Sequence, residues 1–248
     1  MLLRDDPLVS CICITHNSID VLKRSIQCFQ DQTYKNKELI VAFDSDNVST
    51  NNFMMGLKDP SIRSLVFPSD TPLTLGEKRN AAIEYANGFY FCVWDDDDWY
   101  STNRLEFQVR SLAGTAFQSS VLSRIILYDE KTNEAYLSAT RWAWEQTLLC
   151  QKSISANPEL RYKNVERGED SVLLFNLKKY NLLLTINHPD VYIYVYHGKN
   201  TFHRNHWEVN IVHWAKKLSR EHATFIQKIL AGSTPNAEAS IVLGNFFN

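Results

Sequence analysis

The run Phe-Tyr-Phe-Cys-Val-Trp-Asp-Asp-Asp-Asp-Trp-Tyr, residues 89–100, decides the fold of this chain. Its first half, Phe89 to Trp94, is apolar at every position, which is typical of a parallel strand covered on both faces. The four aspartates that follow, Asp95 to Asp98, repel one another, so they either reach solvent or hold a cation. In open α/β sheets, ligands bind beyond the carboxyl ends of the strands. The run therefore predicts a buried strand that ends in a polar site, with a solvated acidic turn as the alternative.

Strand and helix patterns alternate before this run. Short apolar stretches predict strands, and apolar residues at helical spacing predict helices between and after them. The predicted strands are Leu8–Thr15, Leu39–Phe43 and, more weakly, Ser64–Phe67; the predicted helices are Ile19–Phe29 (capped by Asn17-Ser18), Leu75–Ala86 and Thr102–Ala113. Successive βα units predict a doubly wound α/β fold, with a central, mostly parallel sheet and helices on both faces.

The second half of the chain has a different texture. Val121–Tyr128 and Tyr136–Thr140 flank a polar turn and predict a hairpin, so this half looks mixed or antiparallel. A helix is predicted over Ser171–Tyr180 and a strand over Val191–Tyr196. The apolar residues Trp207, Ile211, Trp214 and Leu218 predict an amphipathic C-terminal helix, which Phe225 and Ile229 continue.

Composition excludes several classes of protein. The 248 residues include 26 Lys plus Arg against 28 Asp plus Glu, a net charge of -2, which argues against a nucleic-acid partner held by bulk positive charge. Five cysteines are an odd number, and Cys11, Cys13 and Cys92 lie in apolar runs, so we expect reduced core thiols and a cytoplasmic setting. The sequence has no apolar stretch of 18 residues and no leader pattern at its start, so we expect neither a membrane span nor a signal peptide.

Three predicted strands end in polar residues. These ends are Thr15-His16-Asn17, Asp44-Ser45-Asp46 and Asp95 to Asp98, and the topology brings them to one edge of the sheet. No glycine-rich phosphate loop occurs among the eight glycines. An acidic site of this kind needs a metal to hold a diphosphate, and oxygen ligands favour Mg²⁺ or Mn²⁺ over zinc. The residues therefore indicate a carboxylate site that binds a nucleotide diphosphate through a divalent ion.

The order and spacing of several motifs resemble family 2 glycosyltransferases of the GT-A fold. The resemblance covers roughly Leu8 to Thr201. The motifs that carry it are Val9–Asn17, Gln32-Thr33-Tyr34, Glu38–Val41, Gly76–Ala82, Trp94–Tyr100, Arg167–Asp170 and Tyr196–Thr201. It implies a GT-A catalytic domain over residues 1–204, with a nucleotide-binding half (about 1–114) and an acceptor half (115–204), followed by a C-terminal helical extension (205–248).

The resemblance also implies roles for residues of the donor site. Thr15 and Asp44 match positions that contact the nucleobase, where His16 could stack on the base and Asn17 adjoins it. Lys78 and Arg79 match a basic pair that faces the nucleotide. Asp95-x-Asp97 matches the D-x-D element, with Asp97 as the direct metal ligand, and Asp96 or Asp98 would hold ribose or sugar hydroxyls. His197 matches a position that completes the metal or diphosphate site, and a structural histidine is the alternative. The sequence does not distinguish which nucleobase the donor carries.

The acceptor site is implied in the same way. Asp170 matches the carboxylate that deprotonates the acceptor hydroxyl, which gives direct displacement with inversion, and Glu169 stands beside it. The alternative is that both acids only complement a helix N-terminus. Trp142 and Trp144 either stack on an acceptor sugar or pack in the core.

The sequence thus predicts a metal-dependent, inverting glycosyltransferase that acts on a nucleotide-diphosphate sugar and a glycan or glycolipid acceptor. A sugar-phosphate nucleotidyltransferase and an inactive nucleotide-sugar-binding domain are the alternatives. Trp207, Trp214, Lys216, Lys217 and Arg220 of the extension either pack on the domain or make peripheral contact with a membrane.

Overall fold

The computed structural model describes residues 6–16, 19–141, 143–200 and 203–247. The strands are β1 (Val9–Ile14), β2 (Lys37–Asp44), β3 (Ile62–Phe67), β4 (Tyr90–Val93), β5 (Trp99–Tyr100), β6 (Ser119–Leu122), β7 (Ile126–Asp129), β8 (Glu134–Leu137), β9 (Trp144–Gln151), β10 (Leu183–Ile186), β11 (Tyr192–Tyr196) and β12 (Lys216–Lys217). The α-helices are α1 (Ile19–Gln30), α2 (Val48–Gly56), α3 (Leu75–Tyr85), α4 (Arg104–Leu112), α5 (Ser171–Lys179), the turn α6 (Arg204–His206), α7 (Arg220–Leu230) and α8 (Asn236–Phe247). Short 3₁₀ or π turns lie at Lys152–Ala156, Pro158–Leu160, Pro189–Val191, Trp207–Ile211 and Val212–Trp214.

The central sheet has seven strands in the order β10-β6-β9-β4-β1-β2-β3. Strand β1 pairs in parallel with both β2 and β4, and β2 with β3. Only β9 runs against its neighbours, β4 and β6. The predicted mostly parallel sheet is therefore confirmed. Because β9 is antiparallel to β4, the beginning of β9 lies at the same edge as the end of β4.

Helices cover both faces of this sheet, as the sequence predicted. The side chains of β1 alternate: Cys11 and Cys13 pack with α1 and α4, whereas Ile12 packs with α3 and α5 on the other face. All five cysteines are free and buried, which confirms the expected core thiols. The predicted capping residues Asn17 and Ser18 lie outside the described residues.

A second, five-stranded sheet with the order β12-β8-β7-β11-β5 was not predicted. Its strand β5 begins at Trp99, directly after the acidic run, and pairs antiparallel with β11. The acidic run is therefore the link between the two sheets. The predicted hairpin is present as β7 and β8, but the stretch predicted as one strand from Val121 to Tyr128 divides between β6 in the first sheet and β7 in the second.

The prediction of one continuous helix from Trp207 through Ile229 is wrong. The chain forms short turns up to Trp214, and Lys216–Lys217 then pair as a strand with the edge of β8, because that edge offers unpaired backbone groups. The next helix, α7, starts afresh after Ser219, whose hydroxyl accepts a hydrogen bond from the His222 N–H at 3.3 Å.

The C-terminal extension packs on the domain. Ala223, Ile226, Ile229, Ala239 and Leu243 belong to the same hydrophobic cluster as β1 and α1. Two tryptophans of the extension differ. The buried Trp207 ring stacks on Tyr196 with centroids 4.7 Å apart, whereas Trp214 is exposed. No helix in the described part of the chain is long and apolar enough to cross a membrane.

Candidate active site

The four aspartates between the two sheets have different environments. The Asp98 carboxylate is fully buried and accepts hydrogen bonds from the Tyr192 hydroxyl and, at 2.8 Å, from the Val195 N–H. Burial raises the pKa of Asp98 well above its ordinary value. Asp98 therefore holds the acidic run against β11. Its burial favours this structural role over the predicted alternative, in which Asp98 binds ribose or sugar hydroxyls.

Asp95 follows the strand β4 and lies close to the positively charged side chain of Arg79. Its carboxylate is 3.7 Å from the Arg79 guanidinium. Burial raises the pKa of Asp95 to about 7; Arg79 opposes this shift, and the neighbouring Asp97 and Asp96 add to it. Its backbone carbonyl accepts hydrogen bonds from the Ser25 hydroxyl at 3.1 Å and the Tyr100 hydroxyl at 2.9 Å, which fix this corner of the run.

Asp97 contacts His197, the residue that follows β11. The Asp97 Oδ2 and His197 Nε2 atoms are 2.8 Å apart. The other ring nitrogen, Nδ1, accepts the Lys199 N–H at 3.2 Å, so the hydrogen-bond network assigns the neutral-ring proton to Nε2, which donates to Asp97. The structure thus brings the two predicted metal ligands together.

The predicted donor residues converge at the same sheet edge. The Thr15 hydroxyl at the end of β1 donates to Asp96 Oδ2 at 2.5 Å, and both side chains are buried. Asp44 at the end of β2 forms an ion pair with Lys78 at 2.6 Å. His16, next to Thr15, is exposed. Asn17 lies outside the described residues.

The N-terminal part of α3 organises the centre of the site. A capping box between Thr74 and Glu77 starts the helix: the Thr74 hydroxyl accepts the Glu77 N–H, and the Glu77 carboxylate accepts the Thr74 N–H. The predicted basic pair then separates. Lys78 turns to Asp44, whereas Arg79 turns to the acidic run.

The loop that carries the predicted base crosses this helix start at close range. A Cβ atom at Gly76 would lie 1.6 Å from the Lys163 carbonyl oxygen, so only glycine leaves room for the loop there. The side chain of Asn80 clamps the same loop, because its amide donates to the Tyr162 carbonyl at 2.9 Å and accepts the Tyr162 N–H at 3.1 Å.

Arg79 joins the predicted nucleotide-binding and acceptor halves. Its guanidinium lies 2.6 Å from the Glu169 carboxylate, in addition to the contact with Asp95, and it stands over the Tyr162 ring at 5.2 Å. Burial raises the pKa of Glu169 and Arg79 opposes that shift. Asp170 occupies the N-cap position of α5 but makes no side-chain capping bond, so capping does not occupy its carboxylate.

Sequence reasoning missed Glu145. This half-buried residue lies at the start of β9, the end of that strand which shares an edge with Asp95. Burial raises the pKa of Glu145, and the charges of Asp170 and Glu169 add to the shift. The charges of Asp170 and Glu169 thus act on Glu145, which is a further acid in this part of the structure. Only the antiparallel placement of β9 reveals it, and no local motif could have indicated it.

The two predicted tryptophans differ. Trp144 is 4% exposed, donates from its indole N–H to the Ser123 carbonyl at 3.2 Å, and has the Arg141 guanidinium 4.8 Å from its ring centroid. This burial favours packing, one of the two uses left open for Trp144. Trp142 lies outside the described residues.

The donor set fits a divalent ion that is shared with a substrate. The described ranges contain no group of three or more His, Cys, Asp or Glu that could hold a metal by themselves. Asp97 supplies a carboxylate, and Mg²⁺ in particular is usually held by one or two carboxylates plus phosphate oxygens. His197 could bind an ion through Nε2 only after its proton moves to Nδ1, which breaks the bond with the Lys199 N–H.

Comparison with known proteins agrees with this architecture. The sequence profile described as "Glycosyl transferase family 2" matches residues 10–172. The chain is 32% identical over 105 residues to UDP-Glc:alpha-D-GlcNAc-diphosphoundecaprenol beta-1,3-glucosyltransferase WfgD of Escherichia coli. That match covers 42% of this chain and 41% of the relative, so the likeness spans less than half the length of WfgD.

Two solved structures share the fold. One is S. aureus TarS 1-349 in complex with UDP-GlcNAc. It has a TM-score of 0.61 at 15% identity, and the match covers 90% of the present chain and 70% of the TarS chain. The second is mannosyltransferase PcManGT from Pyrobaculum calidifontis in complex with GDP-Man and Mn2+. It has a TM-score of 0.61 at 13% identity, and the match covers 99% of the present chain and 77% of PcManGT. The predicted GT-A fold is therefore confirmed.

Proposed function

The chain belongs to glycosyl transferase family 2, and from this premise we propose that it moves a sugar from a nucleotide-diphosphate sugar to a hydroxyl group of a glycan or glycolipid. The single observation that carries the proposal is the double contact of Arg79, at 2.6 Å from Glu169 and 3.7 Å from Asp95. This contact unites the acidic run with the Glu169-Asp170 pair in one site. The names of the similar proteins support a nucleotide-sugar donor and a lipid-linked acceptor.

The nucleoside of the donor is proposed to lie at the ends of β1 and β2. Thr15 and Asp44 present polar atoms there, and Lys78 neutralises Asp44 at 2.6 Å. The exposed His16 is proposed to stack on the base, and Asn17 adjoins it in sequence. Asp96, which accepts the Thr15 hydroxyl, is proposed to bind the ribose or the sugar.

Asp97 and His197 are the proposed holders of Mn²⁺ or Mg²⁺. Their side-chain atoms are 2.8 Å apart and both side chains keep a small exposed area. When bound, such an ion neutralises the negative charge that develops on the diphosphate as it leaves. Asp95, whose pKa is raised to about 7 by burial, is the proposed partner of the transferred sugar's hydroxyls.

Asp170 is the proposed general base. Its carboxylate takes the proton from the acceptor hydroxyl while that oxygen attacks the anomeric carbon on the face opposite the diphosphate. The bond between the anomeric carbon and the diphosphate oxygen breaks, and its electron pair leaves with the nucleoside diphosphate. A single displacement of this kind inverts the anomeric centre. Glu169 remains paired with Arg79 throughout, and this pair holds the start of α5 in place.

The acceptor is proposed to bind beside Glu169 and Asp170. Glu145 borders this region, and Trp142 remains the proposed stacking residue. Trp144 is 4% exposed and has the Arg141 guanidinium over its ring, so we propose no sugar contact for it.

The first test is a donor screen by thermal unfolding. Purified protein is heated with UDP-Glc, UDP-GlcNAc or GDP-Man, each with and without Mn²⁺. A donor at 100 times its Kd should add about 2.7 kcal/mol to the free energy of unfolding. We expect this stabilisation for one donor and only when Mn²⁺ is present. Asp97→Asn should abolish the stabilisation, and the exposed control Glu238→Gln should retain it.

The second test is turnover. With synthetic α-D-GlcNAc-diphosphoundecaprenol as the acceptor, release of nucleoside diphosphate and formation of a β-linked product are measured together. Release coupled to an inverted product supports the proposal. Donor binding without any release on this or other lipid-linked sugars would instead show a nucleotide-sugar-binding domain, and a lack of stabilisation by any donor would contradict the proposed site.

A further inference from the structure

The outer side of α5 carries a concentration of exposed apolar side chains. Val172 is 37% exposed and Phe175, one turn later, is 63% exposed. Of the twelve large hydrophobic residues exposed in the described part of the chain, four lie within residues 165–180, the other two being Val165 and Tyr180. Single exposed apolar residues are ordinary, but a cluster of them marks an interaction surface.

Basic residues accompany this apolar surface. Lys178 and Lys179 are exposed in the last turn of α5. Helical spacing places Val172, Phe175 and Lys179 on one side of the helix. We call Val172, Phe175, Lys178 and Lys179 the α5 face. The preceding segment balances its exposed charges: Lys163 and Arg167 stand against Glu166 and Glu159, and Glu159 accepts the Tyr180 hydroxyl. The excess positive charge of this surface therefore comes from Lys178 and Lys179 themselves.

The α5 face adjoins the proposed base. Leu173, Leu174 and Leu177 are buried and anchor the opposite side of α5 to the domain, so the α5 face points to solvent. Asp170 immediately precedes the first residue of α5. A surface that rests on the α5 face therefore lies next to the place where the acceptor hydroxyl must arrive.

We propose that the α5 face binds the surface of an anionic lipid bilayer. Val172 and Phe175 would enter the boundary between headgroups and acyl chains, and Lys178 and Lys179 would meet lipid phosphates. This inference rests on the proposed function, because a glycolipid acceptor presents its sugar only at a membrane surface. It places the membrane contact beside Asp170, not on the C-terminal extension that the sequence had suggested.

Vesicle flotation of the full chain tests the proposal without donor or acceptor. Vesicles consist of phosphatidylcholine alone or of equal parts phosphatidylcholine and phosphatidylglycerol. We expect binding to the anionic vesicles that weakens with added salt. The double variant Val172→Ser/Phe175→Ser should lower the partition constant about tenfold or more, since it removes the buried apolar area. Lys178→Gln and Lys179→Gln should each lower it about fivefold.

Two controls identify the surface. Ile241→Ser removes an apolar side chain that is 67% exposed on α8, and it should leave binding unchanged. Trp214→Ser tests the C-terminal extension. Absence of binding to anionic vesicles, or loss of binding with Ile241→Ser or Trp214→Ser but not with the α5 variants, would overturn the proposal. Unchanged thermal unfolding shows that each variant is folded.

The outcome is separable from that of the proposed function. Donor stabilisation and nucleotide release with a water-soluble acceptor fragment report on the active site alone. If the protein binds a donor but not vesicles, only the proposed membrane contact is contradicted. If it binds vesicles through the α5 face but no donor, only the proposed function is contradicted.

Discussion

The guanidinium of Arg79 lies 2.6 Å from the Glu169 carboxylate, and this ion pair joins two segments that are 90 positions apart in the chain. The Arg79 side chain is 13% exposed and that of Glu169 is 5% exposed, so water screens the pair only weakly. Arg79 belongs to α3, whereas Glu169 ends the loop that positions Asp170. The pair therefore fixes the distance between the acidic run and the proposed base.

We expect Arg79 and Glu169 to be energetically coupled. Arg79→Gln leaves the buried Glu169 without its partner and should destabilise the fold by about 3 kcal/mol. Glu169→Gln leaves Arg79 with the longer contact to Asp95 and should cost less. The double variant should cost less than the two single variants together, with a coupling energy of about 1–3 kcal/mol. Urea unfolding of the four proteins measures this cycle.

A surface pair provides the matched control. Arg161 and Glu84 also form an ion pair, but their side chains are 37% and 61% exposed, so water screens this pair much more. The same cycle on Arg161→Gln and Glu84→Gln should give a coupling energy below about 1 kcal/mol. Equal coupling in the two cycles, or strict additivity at Arg79 and Glu169, would contradict the positioning role of the buried pair.

Gly76→Ala should separate loop placement from helix propensity. Alanine favours helix over glycine, yet its Cβ would meet the Lys163 carbonyl oxygen at 1.6 Å, and backbone atoms must move to avoid this. We expect a loss of about 1–3 kcal/mol in the free energy of unfolding and a loss of nucleotide release larger than the stability change alone explains. Gly56→Ala, at the end of α2, where a Cβ would meet nothing within 4 Å, should not lower the free energy of unfolding and should leave nucleotide release unchanged. A stable, fully active Gly76→Ala protein would show that the loop tolerates displacement.

Local pattern was sufficient for the strands β1, β2 and β4 and for the helices α1 and α3, whereas α2 was not predicted. Each is a continuous apolar run or a helical repeat, and no partner elsewhere is needed to recognise it. Strand β9 was not predicted because the polar residues Glu145, Gln146 and Thr147 interrupt its apolar pattern. Its strand conformation comes from β4 and β6 on either side, and sequence spacing carries no information on that placement.

The acidic run shows the same limit at the level of single residues. Four identical aspartates cannot be distinguished by residue type. Tertiary contacts separate them: Asp98 is buried against Tyr192 and Val195, whereas Asp97 meets His197. The motif therefore predicted where the carboxylates lie, and long-range contacts give each of them a different environment.

The His188 and Asp190 pair should make stability depend on pH. The hydrogen bond from His188 to the buried Asp190 raises the pKa of His188, and burial of the ring opposes this shift. Because the folded-state pKa is above the ordinary value of 6.5, protonated His188 stabilises the fold. This stabilisation is complete below about pH 6.5 and is lost as the pH rises through the raised value.

Urea unfolding at pH 5.5, 7.0 and 8.5 measures this dependence. His188→Gln should reduce the decrease in stability toward high pH that the parent protein shows, and the exposed control His213→Gln should retain the full decrease. The part that remains in His188→Gln comes from Asp95, whose raised pKa of about 7 also lowers stability as the pH rises. A parent protein whose stability is flat over this range would refute the contribution of the pair.

Asp170→Asn should abolish transfer and preserve both fold and donor binding. The Asp170 side chain makes no capping hydrogen bond to α5, so its replacement should change the free energy of unfolding by less than about 0.5 kcal/mol. An amide cannot accept the acceptor proton, and loss of a positioned general base lowers kcat by about 10²–10⁴-fold. The donor-induced increase in thermal stability should persist, because the donor is proposed to bind at the acidic run.

Glu166 is an exposed acid on the same loop and provides the control, since Glu166→Gln should keep normal turnover. If Asp170→Asn retains near-normal turnover, the base is a different carboxylate, and Glu145 is the first to test, since it borders the same region and burial already raises its pKa.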